Sequence, residues 1–204
     1  MKNTAKIAQA GVLTALAFML TLFKIPVWFA PPFYKLDFSE VITLFSGFLL
    51  GPFYGALIEF LKIFLKIILR GTATVGIGEF ADFIIGCSLI LPSAIFFKNQ
   101  SKYNLLRKND FKSIIHAMCI GTSSMIITAV LLNGFLVLPF YCHFAKVNIE
   151  HVVHITSKVN PLVHDQLSFA LFAVLPFNLL KGILSSILCF LLYKNLLNIS
   201  WLKI

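Results

Sequence analysis

The chain has 204 residues, of which 59% are hydrophobic and 12% charged, far from the roughly 25% charged of a soluble domain. With a mean hydropathy of +0.91 and 22 phenylalanines, it leaves no room for a soluble catalytic domain and reads as one membrane-embedded domain over 1–204. The formal charge of +9 does not signal nucleic acid, because no basic-aromatic module accompanies it.

In chain order, Lys2 and Lys6 precede an apolar run to about Phe23. Ala15-x-Ala17 lies in the middle of that run, which favours a retained first helix over a signal peptide. Pro26, Pro31 and Pro32 then break helical structure and give an outer loop to about Leu36. Asp37 or Ser39 can N-cap a second helix that ends near Leu50, too short to cross a bilayer alone. Gly51-Pro52 makes an inner turn, and a third span runs from Phe53 to Leu69. The sequence GTATVGIG (71–78) forms an outer loop before a fourth span from Glu79 to about Phe97. A basic inner loop (98–112), a fifth span from Ser113 to about Tyr141, an outer segment (142–169) and a sixth span to about Leu197 complete the chain.

The expected fold class is therefore an all-α integral membrane protein, a six-helix bundle with a short second helix. Lys2, Lys6, Lys98, Lys102, Arg107, Lys108, Lys112, Lys194 and Lys203 fall at one set of helix ends, against Lys24, Lys35, Arg70, Lys146 and Lys158 at the other. Positive residues mark the cytoplasmic side, so both termini and the 98–112 loop are expected to face inward.

Polar groups inside apolar spans mark functional positions by default, because each is costly unless satisfied. Asn133 late in the fifth span, and Asn178 with Lys181 early in the sixth, fall at similar depth in the outer half of the bilayer. Asn178 and Lys181, three residues apart, share a helix face. Together the three could read a flat heterocycle edge that alternates carbonyl and N–H groups; helix–helix hydrogen bonding is the competing role. Glu59, Lys62 and Lys66 share a face of the third span, which suits an internal ion pair between Glu59 and Lys62 with Lys66 snorkelling outward. Gly76, Gly78 and Glu79 stand where the outer loop enters the fourth span, a place where free N–H groups can meet ligand oxygens. Acids in a first turn are also ordinary helix-dipole partners.

Gly11-x-x-x-Ala15 is a small-residue pattern, widened by Ala10, Thr14, Ala17 and Thr21, that serves internal packing or a partner helix. His143, His151, His154 and His164 read as a solvated outer segment without a complete metal-ligand set. The cysteines Cys87, Cys119, Cys142 and Cys189 form no C-x-x-C pair and suggest no disulfide framework. No phosphate-binding G-x-x-x-x-G-K-[ST] loop is present, so any ATP hydrolysis falls to another chain.

The segments KLDFSEVITLFSGFLLGPFYGALIEFLK (35–62), GTATVGIGEFADFIIG (71–86), LLNGFLVLPFY (131–141) and NPLVHDQLSFALFAVLPFNLLKG (160–182), in collinear order, resemble the substrate-binding S components of energy-coupling factor (ECF) vitamin transporters. The resemblance is greatest to the riboflavin-specific members. It implies a multi-pass protein of the cell membrane that takes riboflavin as a transported ligand, with no cofactor and no metal. It also implies a transmembrane coupling subunit and two ABC-type ATPases as partners. On that resemblance Asn133, Asn178 and Lys181 meet the isoalloxazine ring, Trp28 helps to cover its dimethylbenzene end, and Thr74, Gly78 and Glu79 face the ribityl chain. Gly11 and Ala15 then match the coupling-subunit surface. The family usually has Asn where this chain has Asp82, which removes an amide donor and adds a charge. The alternatives are an S component for another vitamin such as pantothenate, or an intramembrane enzyme built on Glu59, Lys62 or the histidines.

Overall fold

A computed structural model describes residues 2–31, 33–72, 74–103 and 111–196. Arg107, Lys108 and Lys203, which entered the topology argument, lie outside the described residues. Helix α1 (Lys2–Leu20) leads into a two-stranded antiparallel pair, β1 (Ile25–Pro26) with β2 (Lys35–Leu36), in the register Ile25 to Leu36 and Pro26 to Lys35. The outer loop thus has a closed base, which its prolines did not announce.

Helix α2 (Ser39–Leu50) has 12 residues and is about 18 Å long at 1.5 Å per residue. All of it except Ile42 and Leu49 is buried, so it is a core element and not a lipid-facing one. Its N-cap is Phe38, in place of the expected Asp37 or Ser39. The Asp37 carboxylate instead accepts the Ser39 N–H at 3.0 Å and the Ser39 hydroxyl at 2.5 Å, a local turn that competes with the cap position. Gly51, at φ 101°, makes the turn into α3 (Pro52–Arg70), which starts with proline at its first position. A Cβ on Gly55 would lie 2.9 Å from the Gly47 Cα, so only glycines allow α2 and α3 to approach this closely.

Helix α3 is amphipathic in the inverted sense. Glu59, Lys62 and Ile63 are buried while Phe60, Phe64, Ile68 and Leu69 are exposed, as expected where the outer medium is lipid. Helix α4 (Ile77–Tyr103) packs along α5 (Phe111–Leu131). Gly121 of α5 lies against the Ser93 hydroxyl and the Leu89 carbonyl, with no room for a side chain.

The two long outer-reaching helices are not regular. A π turn at Leu132–Val137 joins α5 to α6 (Leu138–Ala145), and a second at Ala170–Val174 joins α8 (Gln166–Phe169) to α9 (Leu175–Leu196), with α7 (Ile149–Ser157) between them. Prolines account for both breaks. In the π register Pro139 has no N–H for the Gly134 carbonyl, and the Gln166 Nε2 donates there at 2.9 Å. Pro176 lacks the N–H that an α-helical register would give the Phe172 carbonyl, and the Asn160 Nδ2 donates there at 2.8 Å. The turns meet where a Cβ on Gly134 would lie 2.7 Å from the Ala170 Cβ.

Among the described residues, three helical stretches are long and apolar enough to cross a membrane: Ile77–Gln100, Phe111–Phe144 and Gln166–Asn195. The small residues of α1 divide between two faces. Ala10, Thr14, Ala17 and Thr21 are buried inside the bundle, whereas Gly11 and Ala15 are exposed. The pattern read as one surface is therefore an internal seam beside an external patch.

Gly121→Val should drive α4 and α5 apart. Overpacking of this kind costs about 1–3 kcal/mol, and a 150–250-residue protein loses about 2–4 °C per kcal/mol. A melting curve in detergent is expected to show a fall of several degrees, and an unchanged Tm would contradict this packing.

Candidate functional site

The β1–β2 loop, the start of α4, the two π turns and the start of α9 surround a cavity of about 670 Å³, within the usual range for a small-molecule site. Thr74, Gly78, Glu79, Asn133, Asn178 and Lys181, each singled out for a ligand, line it, whereas Gly76 and Trp28 do not. The first turn of α4 contributes Gly78 and Glu79, the first π turn Asn133, and the start of α9 Asn178 and Lys181. The two prolines place these groups, because each π turn re-aims the helix that carries an asparagine.

Asn178 is buried, and its Nδ2 donates to the Val174 carbonyl at 2.9 Å. That bond fixes the amide while leaving Oδ1 without a hydrogen bond among the described residues. Lys181 is held harder still, with Nζ 2.7 Å from the Glu40 Oε1. Glu40 also lies 3.7 Å from the Lys62 Nζ, which pairs with Glu59 at 2.8 Å and donates to the Ser39 hydroxyl at 3.0 Å. Glu59 is completely buried, enclosed by Gly86 of α4, where any side chain would collide with its carboxylate. The pair expected within α3 is thus one part of a network joining α2, α3 and α9. Of these charges only Lys181 reaches the cavity.

Asp37 lines the same cavity. Burial opposes its ionisation, but Lys181, Lys62 and the two hydrogen bonds from Ser39 outweigh it and lower the carboxyl pKa to about 2.

A second cluster closes the opposite side. Glu79 Oε2 accepts the hydroxyls of Thr72 at 2.7 Å and Thr74 at 2.8 Å. The Thr74 hydroxyl also accepts the Gly78 N–H at 3.0 Å, so it holds Glu79 in place and is not a free ligand donor. Lys66 does not snorkel into solvent. Its Nζ lies 3.2 Å from the Asp82 Oδ2 and 4.0 Å from the Glu79 Oε1.

The apolar wall is aromatic. Tyr34 stacks on Phe177 at 4.9 Å and on Phe169 at 6.3 Å, and all three line the cavity. Burial, and secondarily the Asp82 charge, push the Tyr34 phenol pKa up, so it stays a neutral donor. Trp28, expected over the ligand, is 85% exposed and its ring packs edge-on against Phe29. Tyr34, and not Trp28, lines the cavity. The four histidines named above are all exposed, and among the described residues no group of three metal-ligating side chains occurs. The cysteines Cys87, Cys119, Cys142 and Cys189 are free.

Sequence reasoning missed Glu40, Tyr34, Gln166 and Asn160. Glu40 reads as a routine first-turn acid, and its only signal is that α2 is otherwise uncharged. Gln166 and Asn160 become legible only once Pro139 and Pro176 are seen to free two carbonyls.

Apolar helices of membrane-crossing length, with charges turned inward and one ligand-sized cavity at their ends, define a membrane-embedded binding protein for a small polar molecule. Residues 5–193 match the family model of the ECF transporter, substrate-specific component. The chain is 32% identical to the riboflavin transporter RibU of Staphylococcus aureus (strain TCH60), over 97% of this chain and 93% of that one. It is also 32% identical to the riboflavin transporter FmnP of Bacillus subtilis (strain 168), over 94% and 91%. The fold matches a solved S component of a bacterial ECF transporter with a TM-score of 0.72, at 30% identity and covering 100% of both chains. The chain belongs to the family of ECF transporter substrate-specific components.

Removing one partner of a buried ion pair costs about 3–5 kcal/mol because a charge is left uncompensated. Lys62→Met strands Glu59 and leaves Glu40 paired with Lys181 alone, and should lower the Tm in detergent by at least about 6 °C. Adding Glu59→Gln should recover part of that loss. A Tm unaffected by the single change would show that the network does not hold the bundle.

Proposed function

We propose that this chain is the riboflavin-binding component of an ECF-type importer, a transport subunit and not an enzyme. The convergence of Asn133, Asn178 and Lys181 on one cavity carries the reading. These groups offer amide donors and acceptors beside an ammonium, which suits the imide-like edge of the isoalloxazine ring. Tyr34, Phe169 and Phe177 supply flat apolar surface for the tricycle. Glu79, held by Thr72 and Thr74, is placed to accept ribityl hydroxyls. Riboflavin is also what the names of the two RibU and FmnP relatives specify.

Glu40 adds a reason for neutral-ligand selectivity. With its Nζ charge compensated at 2.7 Å, Lys181 acts as a hydrogen-bond donor more than as a free cation, which favours an uncharged heterocycle. Asp82 engages Lys66 at 3.2 Å, so the departure from the family's asparagine is absorbed by a salt bridge at the rim.

In the proposed topology the chain crosses the cell membrane in six helical passes, with both termini cytoplasmic. The cavity then opens outward, consistent with the basic residues at the inner helix ends. Delivery would need a transmembrane coupling subunit and two ABC-type ATPases. The exposed Gly11 and Ala15 of α1 offer that subunit a close-approach surface.

Asn178→Leu is expected to weaken riboflavin binding at least tenfold, because a ring carbonyl or N–H loses its partner inside the site. Quenching of flavin fluorescence on titration gives the affinity, and an unchanged value would remove Asn178 from the site. Gly11→Leu has open space for its side chain. With Ala15→Leu it should abolish co-purification of the coupling subunit while riboflavin affinity stays the same. Normal assembly of the double variant would discard this surface.

A further inference from the structure

The break at Pro176 exposes the Phe172 carbonyl, and one side chain repairs it from a distant part of the chain. Asn160 follows α7, and its amide is used at both ends. Its Oδ1 accepts the Leu162 N–H at 3.2 Å, a local turn that fixes the side chain's direction. Its Nδ2 donates to the Phe172 carbonyl at 2.8 Å and lies 3.5 Å from the Phe29 carbonyl in the outer loop between β1 and β2. The two hydrogens of one amide nitrogen therefore face the broken helix and the loop together.

Both carbonyls belong to segments that shape the cavity. The loop carries Phe33 and Tyr34 into the cavity wall, and Tyr34 stacks on Phe177, the residue after Pro176 and before Asn178. Asn160 itself does not line the cavity. Beside the stack of Tyr34 on Phe177, Asn160 is a polar tie between this loop and the segment that leads into the last helix.

We infer that Asn160 is a positioning residue that fastens the outer loop across the cavity mouth to the proline break of α9, and so controls how long a bound ligand is retained. The inference rests on the riboflavin reading for its kinetic test but not for its structural one. A tether outside the cavity acts on escape more than on encounter, so its loss raises the dissociation rate and leaves the association rate nearly unchanged. Asn160 would thus affect affinity without touching the ligand.

The test uses Asn160→Asp and Asn160→Leu in the full chain carrying Trp201→Phe, so that Trp28 of the loop is its single tryptophan. Asn160→Asp keeps the acceptor for the Leu162 N–H and loses the donors, so it separates the tether from the local turn. Two readouts are taken: Trp28 fluorescence anisotropy without ligand, and stopped-flow riboflavin association and dissociation. Both variants are expected to lower Trp28 anisotropy and to speed dissociation roughly five- to tenfold, with association changed less than threefold. Dissociation at the unsubstituted rate in Asn160→Asp would overturn the inference, whatever the anisotropy. If the unsubstituted chain binds no riboflavin, the ligand reading fails and the anisotropy alone decides the tether: a fall supports it and no change overturns it.

Discussion

Everything about this bundle depends on Glu40, which stands between two lysines in the interior. Its carboxylate lies 2.7 Å from Lys181 and 3.7 Å from Lys62, and so couples α2, α3 and α9. In hydrocarbon these ammonium groups would be prohibitively exposed, and among the helices they are tolerable only as a connected set. The set fixes α2 at the centre, although α2, with 12 residues, is too short to cross a bilayer on its own. It also fixes the height of Lys181, the one member whose charge reaches the cavity.

The second constraint is covalent. Pro139 and Pro176 each remove a backbone donor at equivalent places in the two helices that carry the asparagines. The chain answers with π turns and with side chains, Gln166 and Asn160, that satisfy the freed carbonyls at 2.9 and 2.8 Å. Regular helices would point Asn133 and Asn178 in other directions. The irregular backbone lies at the cavity, where protein and ligand can satisfy it. Binding geometry and helix irregularity here have one origin.

Much of this was legible in the residues. The inverted amphipathicity of α3, the turn at Gly51-Pro52 and the nearness of Asn133, Asn178 and Lys181, which line one cavity, all follow from periodicity and polar placement in apolar spans. What stayed hidden depends on pairings between distant segments. Glu40 looks like a dipole partner until Lys62 and Lys181 are seen beside it, and Asp37 looks like a cap until its carboxylate is seen holding Ser39. Trp28 looks like the obvious aromatic cover because it is large and close to the prolines. Only the closed β1–β2 base shows that Tyr34 turns inward while Trp28 turns out. The small residues of α1 likewise divide into a buried and an exposed set only when the rotation of the helix is known.

The claim at the centre is that a cavity walled by Tyr34, Phe169 and Phe177 and floored by Asn133, Asn178 and Lys181 holds one flavin. Titration of riboflavin into the detergent-purified chain, followed by flavin fluorescence, tests it directly. Saturable quenching at one riboflavin per chain is the predicted result. Unchanged fluorescence, in protein that shows no co-purified flavin band in its visible spectrum, would contradict the flavin assignment and leave the cavity to another vitamin.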